Sequence, residues 1–332
     1  MDQTTMYSRI IATGAALPAH RVTNDELAAR LLRDGIETND EWIRTRTGIE
    51  ARRFCDPTQG EGTTSLAVAA AREALGRSGL DASEIDLIIV ATTTPDRIFP
   101  STAAQVQAAI GAPGCAAFDV QAVCAGFIYA LNAADAMLRA GPYRHAIVIG
   151  AETLSRVVDF KDRSTCVLFG DGAGAVVMSA SSDPGVLAAR MYADGRHDEK
   201  VLGLDAKLVE GRIVGDPFIR MDGRQVFKLA VEGLTTSAKE VASLACVRTE
   251  DVALFVPHQA NLRIMSMVAH KLGIPEERMV KTVAEHGNTS AASVPLALDH
   301  AVRNGMVKSG ELVLLQAVGA GMAWGSALVR WA

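Results

Sequence analysis

Ser83-Glu84-Ile85-Asp86-Leu87-Ile88-Ile89-Val90 and Thr249-Glu250-Asp251-Val252-Ala253-Leu254-Phe255-Val256 are the same sentence written twice, a polar lead followed by an apolar run, at an offset of 249 − 83 = 166. Working outward, Ala109-Ile110-Gly111-Ala112-Pro113 resembles Lys271-Leu272-Gly273-Ile274-Pro275, and Ala146-Ile147-Val148-Ile149 aligns with Leu312-Val313-Leu314-Leu315, again 312 − 146 = 166. The offset is half of the 332 residues, and the matched segments keep their order. Such self-similarity predicts two like halves. The turn-rich string Ser181-Ser182-Asp183-Pro184-Gly185 marks the join, giving halves of 1–183 and 184–332.

Each apolar run reads as a buried strand. The others are Ala117–Val120, His145–Gly150, Gly174–Met178 and Ala327–Arg330. Alanine-rich helical patterns lie between them, at 65–78, 125–140, 226–243, 260–272 and 291–304. Continuous apolar strands alternating with helices predict sheets covered on both faces, an α/β layered fold. Gly170-Asp171-Gly172-Ala173-Gly174 lacks the lysine and following helix of a phosphate loop and reads as a turn in the sheet core.

Composition narrows the function classes. At 35.1 kDa, with 49% hydrophobic and 21% charged residues, the chain reads as globular. A net charge of −5 and aromatics at 5% give nucleic acid no electrostatic or stacking footing. No apolar run reaches the ~18 residues of a membrane span. Met1-Asp2-Gln3-Thr4-Thr5-Met6 lacks the basic and apolar regions of a secretory signal, so a cytoplasmic location is expected. Five cysteines without a Cys-x-x-Cys pair predict reduced thiols, and seven scattered histidines predict no metal. Cys115, Cys166 and Cys246 read as buried structural residues.

Three polar residues sit in apolar surroundings at strand ends, where sites collect in α/β sheets. Cys124 follows the strand ending at Val120 and opens an apolar helix stopped by Gly141-Pro142. The positive end of the helix dipole favours thiolate there, so Cys124 reads as a nucleophile or else as a structural cysteine. His258 follows the strand ending at Val256; its alternative is a core histidine. Asn288 precedes the helix at 291–304, and 124 + 166 = 290 places it at the matching helix start of the second half. Its alternative is a helix N-cap. His286 reads as peripheral. Val318-Gly319-Ala320-Gly321 is either a turn or a donor of N–H groups to an oxyanion.

Taken together, Ala122-Val123-Cys124-Ala125-Gly126-Phe127, Pro257-His258-Gln259-Ala260-Asn261, Gly287-Asn288-Thr289-Ser290-Ala291-Ala292-Ser293 and Trp324-Gly325-Ser326-Ala327 resemble β-ketoacyl-acyl-carrier-protein synthase III, the condensing enzyme that starts bacterial type II fatty acid synthesis. Asp40-Glu41-Trp42-Ile43 and Thr45-Arg46-Thr47-Gly48-Ile49 extend the resemblance from about Tyr7 to the C-terminus. It implies a thiolase fold, a duplicated five-layered α-β-α-β-α structure with two mixed sheets, working as a homodimer. It implies a Cys124, His258, Asn288 site that loads an acyl-CoA primer and condenses it with malonyl-acyl-carrier-protein. The backbone N–H groups of Cys124 and Ala320 would form the oxyanion hole. Ala320 stands where many relatives have glycine. Thiolases carry a second cysteine near this turn, and Gly319-Ala320-Gly321 has none.

By the same resemblance Trp42 would stack on the CoA adenine, Arg163 would cover its other face, and Arg46 would meet the phosphates. Gly223, Phe227 and Asn261 would line the pantetheine arm. Phe169 would line the acyl pocket, and Phe99 would close the pocket of a dimer partner. Arg263 and Lys228 would dock the acidic carrier. Acyl-CoA is substrate, so no cofactor is implied. A papain-like Cys-His-Asn hydrolase shares the residue types but predicts no duplication, a non-catalytic acyl-binding partner would not need the three residues intact, and a relative in secondary metabolism would use the same acyl-enzyme.

Overall fold

The computed structural model describes residues 6–197 and 201–332. The leader reading at Met1–Thr5 therefore lies outside the described residues.

In the first half, β1 (Tyr7–Ala16) leads into a short ribbon, β2 (Arg21–Thr23) and β3 (Ala51–Arg53), separated by α1 (Asn24–Leu32) and α2 (Asp40–Thr47). Then come α3 (Thr63–Ser78), β4 (Leu87–Ala91), α4 (Thr102–Ile110), β5 (Ala116–Val120), α5 (Gly126–Ala140), β6 (His145–Thr153), α6 (Arg163–Cys166) and β7 (Asp171–Ser181). The second half holds β8 (Val186–His197), the hairpin β9 (Leu202–Val209) and β10 (Arg212–Met221), α7 (Gly223–Leu244), β11 (Leu254–Pro257), α8 (Leu262–Leu272), α9 (Val283–His286), α10 (Ser293–Arg303), β12 (Leu312–Gly319) and β13 (Gly321–Arg330).

The first sheet has the order β1-β7-β6-β4-β5 and the second β11-β12-β13-β8. Read from β8, the second sheet repeats the first: β1–β7 and β8–β13 are antiparallel, β7–β6 and β13–β12 are antiparallel, and β6–β4 and β12–β11 are parallel. The strands of one sheet end at Ser181 and those of the other begin at Val186.

Three apolar cores separate five layers. α3 and α4 cover the outer face of the first sheet through Leu66, Ala67, Ala70, Ala71, Ala74 and Val106. α5 and α10 fill the space between the sheets, through Phe127, Ile128, Leu131, Leu138, Val294 and Leu298. α7 and α8 cover the second sheet through Leu234, Val241, Met265, Val268 and Leu272. Spacings of three and four residues put these side chains on one helix stripe. A buried leucine or phenylalanine contributes roughly 1.5–3 kcal/mol. Polar groups at the layer boundaries are paired: Asp135 accepts from Ser8 Oγ at 2.7 Å, and Asp299 from Thr13 Oγ1 at 2.7 Å.

The glycine-rich string at 170–174 is not a turn. It runs straight into β7, where Gly172 and Gly174 lie against Leu296 and Pro295 of α10. Small residues are needed for that close approach, and their run imitates turn composition. Two cysteines also differ from expectation: Cys246 is exposed and Cys115 half-buried.

Candidate active site

Each central helix is entered through a tight 3-10 turn, Val123–Ala125 before α5 and Ser290–Ala292 before α10. The turns begin 167 residues apart, one more than the strand offset. The first residue of each has positive φ, 47° at Val123 and 50° at Ser290. A β-branched valine there is a strained backbone position, of the kind that clusters at functional sites. Gly126 permits the start of α5 to lie against β4 and the second turn, since a Cβ would lie 3.0 Å from that of Ala91 and 3.6 Å from that of Ala291. Gly319 closes the third side, where a Cβ would lie 2.7 Å from the Cys124 amide nitrogen.

A cavity of about 420 Å³ opens above these turns. Cys124, His258 and Asn288 all line it, with Phe169, Gly223, Asn261, Gly319 and Ala320. Its remaining wall is mainly apolar, including Leu154, Val157, Leu202, Ile219, Met221 and Met322. The three polar side chains belong to different halves of the chain, yet each is less than a tenth exposed.

The hydrogen bonds orient each group. His258 is anchored by its own N–H to Gln316 O at 2.7 Å. Its Nδ1 lies 2.6 Å from Ser293 Oγ. Ser293 Oγ also accepts the Gln259 N–H at 3.4 Å, and its own proton is free to point at Nδ1. In the tautomer with the Ser293 hydroxyl on Nδ1, the ring proton sits on Nε2 and His258 is a donor. Burial lowers its pKa to about 3, so the ring is neutral. Asn288 Oδ1 accepts from Ser290 N at 2.8 Å, which commits the amide oxygen and leaves Nδ2 as a donor. Its backbone is pinned on both sides, N–H to Leu168 O at 2.8 Å and C=O from Gly170 N at 3.0 Å.

Cys124 departs from the dipole argument. Burial pushes its thiol up to about 12, and the Glu152 charge adds to the rise, while the neighbouring Ser290 hydroxyl opposes both. Desolvation of a fully enclosed sulfur outweighs the helix-end field, which acts in partial charges. His286, a ring that burial lowers to about 4, does not line the cavity.

These histidines give the pH dependence of stability. Both are neutral when folded and take up a proton below about pH 6.5 when unfolded. The unfolded chain binds more protons in that range, so stability is full above about pH 6.5 and falls towards pH 4, by at most about 1.4 kcal/mol per pH unit and ring. Denaturant midpoints are expected to drop between about pH 7 and 5.5, and His286→Gln to flatten the slope by about half. Asp135, Glu152 and Asp171, raised by burial, act in the opposite sense, so a slope unchanged by His286→Gln is the result that would contradict the His286 assignment.

Of the remaining sequence candidates, Phe227 and Arg263 line a depression that adjoins the cavity, and the others lie apart from it. A depression lined by Met221, Gly223, Phe227, Asn261 and Arg263 shares Met221, Gly223 and Asn261 with the main cavity. Asn261 also caps α8, its Oδ1 accepting from Ile264 N at 3.0 Å. Trp42 and Arg163 line a separate depression. Arg46 and Arg163 both lie over the Trp42 ring, each 4.4 Å from its centroid. Arg46 thus makes a cation–π contact with the indole. Lys228 is exposed on α7 and lines none of these depressions. Phe99 is 83% exposed and is not part of this chain's own cavity. Among the described residues no group of three His, Cys, Asp or Glu is placed to hold a metal ion, and no helix is long and apolar enough to cross a membrane.

Sequence reading passed over Glu152, Ser290, Ser293 and the hairpin that supplies Leu202 and Ile219. A carboxylate inside the apolar run of β6 was the one available signal for Glu152.

Comparison with known proteins agrees with this geometry. Residues 118–195 match the family model for 3-oxoacyl-[acyl-carrier-protein] synthase III, and residues 243–331 that for its C-terminal part. The 3-oxoacyl-[acyl-carrier-protein] synthase III of Aquifex aeolicus is 47% identical, with a TM-score of 0.90 over 98% of this chain and 100% of that one. The β-ketoacyl-[acyl carrier protein] synthase III of Thermus thermophilus is 41% identical, TM-score 0.90, over 98% and 99%. The priming β-ketosynthase of the R1128 polyketide pathway is 37% identical, TM-score 0.90, over 98% and 96%. Fold and site define an acyl-transferring condensing enzyme of the thiolase fold. The chain belongs to the 3-oxoacyl-[acyl-carrier-protein] synthase III family.

Proposed function

We propose that the protein loads the acyl group of an acyl-CoA primer, acetyl-CoA in the first instance, onto Cys124 and condenses it with malonyl-acyl-carrier-protein to start type II fatty acid synthesis. The supporting observation is that Cys124, His258 and Asn288 line one mainly apolar cavity although they come from different halves. In this reading residues 1–183 bring the nucleophile and 184–332 the two donors.

In the first half-reaction the Cys124 sulfur attacks the thioester, the oxyanion lies against the N–H groups of Cys124 and Ala320, and CoA leaves. In the second, malonyl-acyl-carrier-protein loses CO2. His258 Nε2–H and Asn288 Nδ2–H hold the enolate oxygen, and its carbon attacks the acyl-enzyme. The apolar wall keeps water from protonating the enolate. Trp42 and Arg163 receive the adenine, with Arg46 released from the indole to the phosphates. Phe227, Gly223 and Asn261 flank the pantetheine. Arg263, at the mouth, and Lys228 receive the acidic carrier. Phe99 reaches into the site of a second copy, which makes the working form a homodimer. The setting is cytoplasmic, and no cofactor takes part.

Alanine retains the N–H that the oxyanion needs, so Ala320→Pro tests the hole directly. Loss of one such donor costs roughly 2.7–4 kcal/mol, or about 10²–10³ in kcat. Turnover near the wild-type rate would remove Ala320 from the mechanism.

The function is tested by supplying acyl-CoAs of graded length with malonyl-acyl-carrier-protein. Release of CO2 with formation of a β-ketoacyl-carrier is the expected result, and acyl-CoA hydrolysis without carbon–carbon bond formation would overturn the reading. The likeness to the R1128 priming β-ketosynthase supports a second reading, a starter unit for secondary metabolism. A strong preference for longer acyl-CoAs over acetyl-CoA would favour it.

A further inference from the structure

Glu152 is a fully buried carboxylate next to the nucleophile, and neither half-reaction above uses it. It ends the apolar run of β6, and its oxygens meet six N–H or O–H groups. Oε2 takes Thr93 N and Thr94 N, each at 3.1 Å, with Thr92 Oγ1 at 3.3 Å and Thr94 Oγ1 at 2.5 Å. Oε1 takes Thr93 Oγ1 and Ser290 Oγ, each at 3.0 Å. Ser290 lines the same cavity wall as Cys124 and acts on its thiol as a hydrogen-bonding neighbour. Cys124, Ser290 and Glu152 therefore form a continuous chain, held by two turns of opposite halves.

The thiol must lose its proton before it can attack. In the second half-reaction above His258 serves as a neutral donor from Nε2, with Nδ1 2.6 Å from Ser293 Oγ, so another group has to take the thiol proton. The other charged groups nearby face elsewhere. Asp171 accepts from Cys55 N and Ser155, while Asp96 pairs with Arg156 and the amides of Thr63 and Thr64.

We propose that Glu152 stores the Cys124 proton, reached through Ser290 Oγ. Cys124 S–H gives its proton to Ser290 Oγ as Ser290 gives its own to Glu152 Oε1. One S–H bond breaks, one carboxyl O–H bond forms, and the electron pair stays on sulfur. On attack that pair makes the new C–S bond, and the CoA thiolate leaves with the pair of the old one, to be protonated by solvent. When condensation expels the Cys124 thiolate, the proton returns by the same route. Burial raises the Glu152 pKa, which favours its taking up a proton, while hydrogen bonds from Thr93, Thr94 and Ser290 oppose the rise. Glu152 is a positioning residue that acts through Ser290. This rests on the reading of Cys124 as the acyl carrier.

Alkylation of Cys124 by iodoacetamide needs no acyl-CoA and reports thiolate alone. In the wild type the pair holds one proton across neutral pH, so the alkylation rate is expected to vary little between about pH 6 and 8. Glu152→Gln removes the store. Its rate is expected to fall at least about tenfold at pH 6 and to rise about tenfold per pH unit. A merely electrostatic role predicts the opposite, since removing a negative charge beside the thiol accelerates alkylation. Ser290→Ala breaks the chain but keeps the charge, and should lose the flat profile too. Glu152→Gln alkylating at pH 6 as fast as wild type or faster would overturn the proposal. If that variant does not fold, by circular dichroism, Ser290→Ala decides alone, and a wild-type profile in it would overturn the proposal. Acyl loading of the wild type, measured separately by mass, distinguishes failure of this step from failure of the acyl-carrier reading.

Discussion

Cys124→Ala is expected to abolish acyl-enzyme formation and to lower condensation by at least about 10³-fold, the scale on which loss of a covalent nucleophile is felt. The cavity offers no second thiol, since Cys55, Cys115, Cys166 and Cys246 lie outside its lining. Truncation removes only the Sγ of a side chain already walled by Gly319, Gly126 and the Ser290 turn, so the fold should survive. Intact mass after incubation with acetyl-CoA would show the unmodified chain. An acyl adduct of normal yield in Cys124→Ala would place the nucleophile elsewhere.

His258→Ala and Asn288→Ala should separate the two half-reactions. Both residues present donors into the cavity, with the opposite end of each side chain tied down, by Ser293 in one case and the Ser290 amide in the other. Donors aimed at a developing enolate stabilise decarboxylation and contribute little to loading. Each substitution is expected to slow CO2 release by about 10²–10³-fold, on the scale of an oxyanion donor, while acyl transfer to Cys124 changes by less than about tenfold. Burst measurements of loading, set beside CO2 release from malonyl-acyl-carrier-protein, give the ratio. Equal damage to both steps would mean that His258 and Asn288 serve the nucleophile instead. Because burial holds the His258 ring neutral, CO2 release should show no inflection from this ring near pH 6.5.

Much of the layering was legible because it depends on period and order. Leu87–Ala91 and Leu254–Pro257 are buried on both faces, and a strand so placed must read as a continuous apolar run. The duplication then paired the two sheets before any strand order was known. Edge and hairpin elements were not legible. In β9 and β10, Leu204, Leu208 and Ile213 are exposed among Asp205, Lys207 and Arg212, so burial imposes no pattern on them. The glycine run of β7 was misread because close packing and turns select the same residue.

At the site, the residues with reactive atoms stood out, and those that condition them did not. Cys124, His258 and Asn288 are polar residues at helix and strand ends, where the sequence shows them. Ser293 and Ser290 look like ordinary helix-start serines until their hydroxyls are seen on the imidazole and on the Glu152 carboxylate. The desolvation that pushes the Cys124 thiol up to about 12 belongs to the closed cavity rather than to any neighbour in sequence. Local reasoning from a helix end captures the dipole and not this desolvation.

The central claim is that the Cys124 sulfur carries the acyl group between two partners. Proteolysis and peptide mass mapping after acetyl-CoA, before and after addition of malonyl-acyl-carrier-protein, tests it most directly. The account predicts an acetyl group on the peptide containing Cys124 that disappears as acetoacetyl-carrier forms. An acetyl group on another residue, or one that persists while product accumulates, would contradict it.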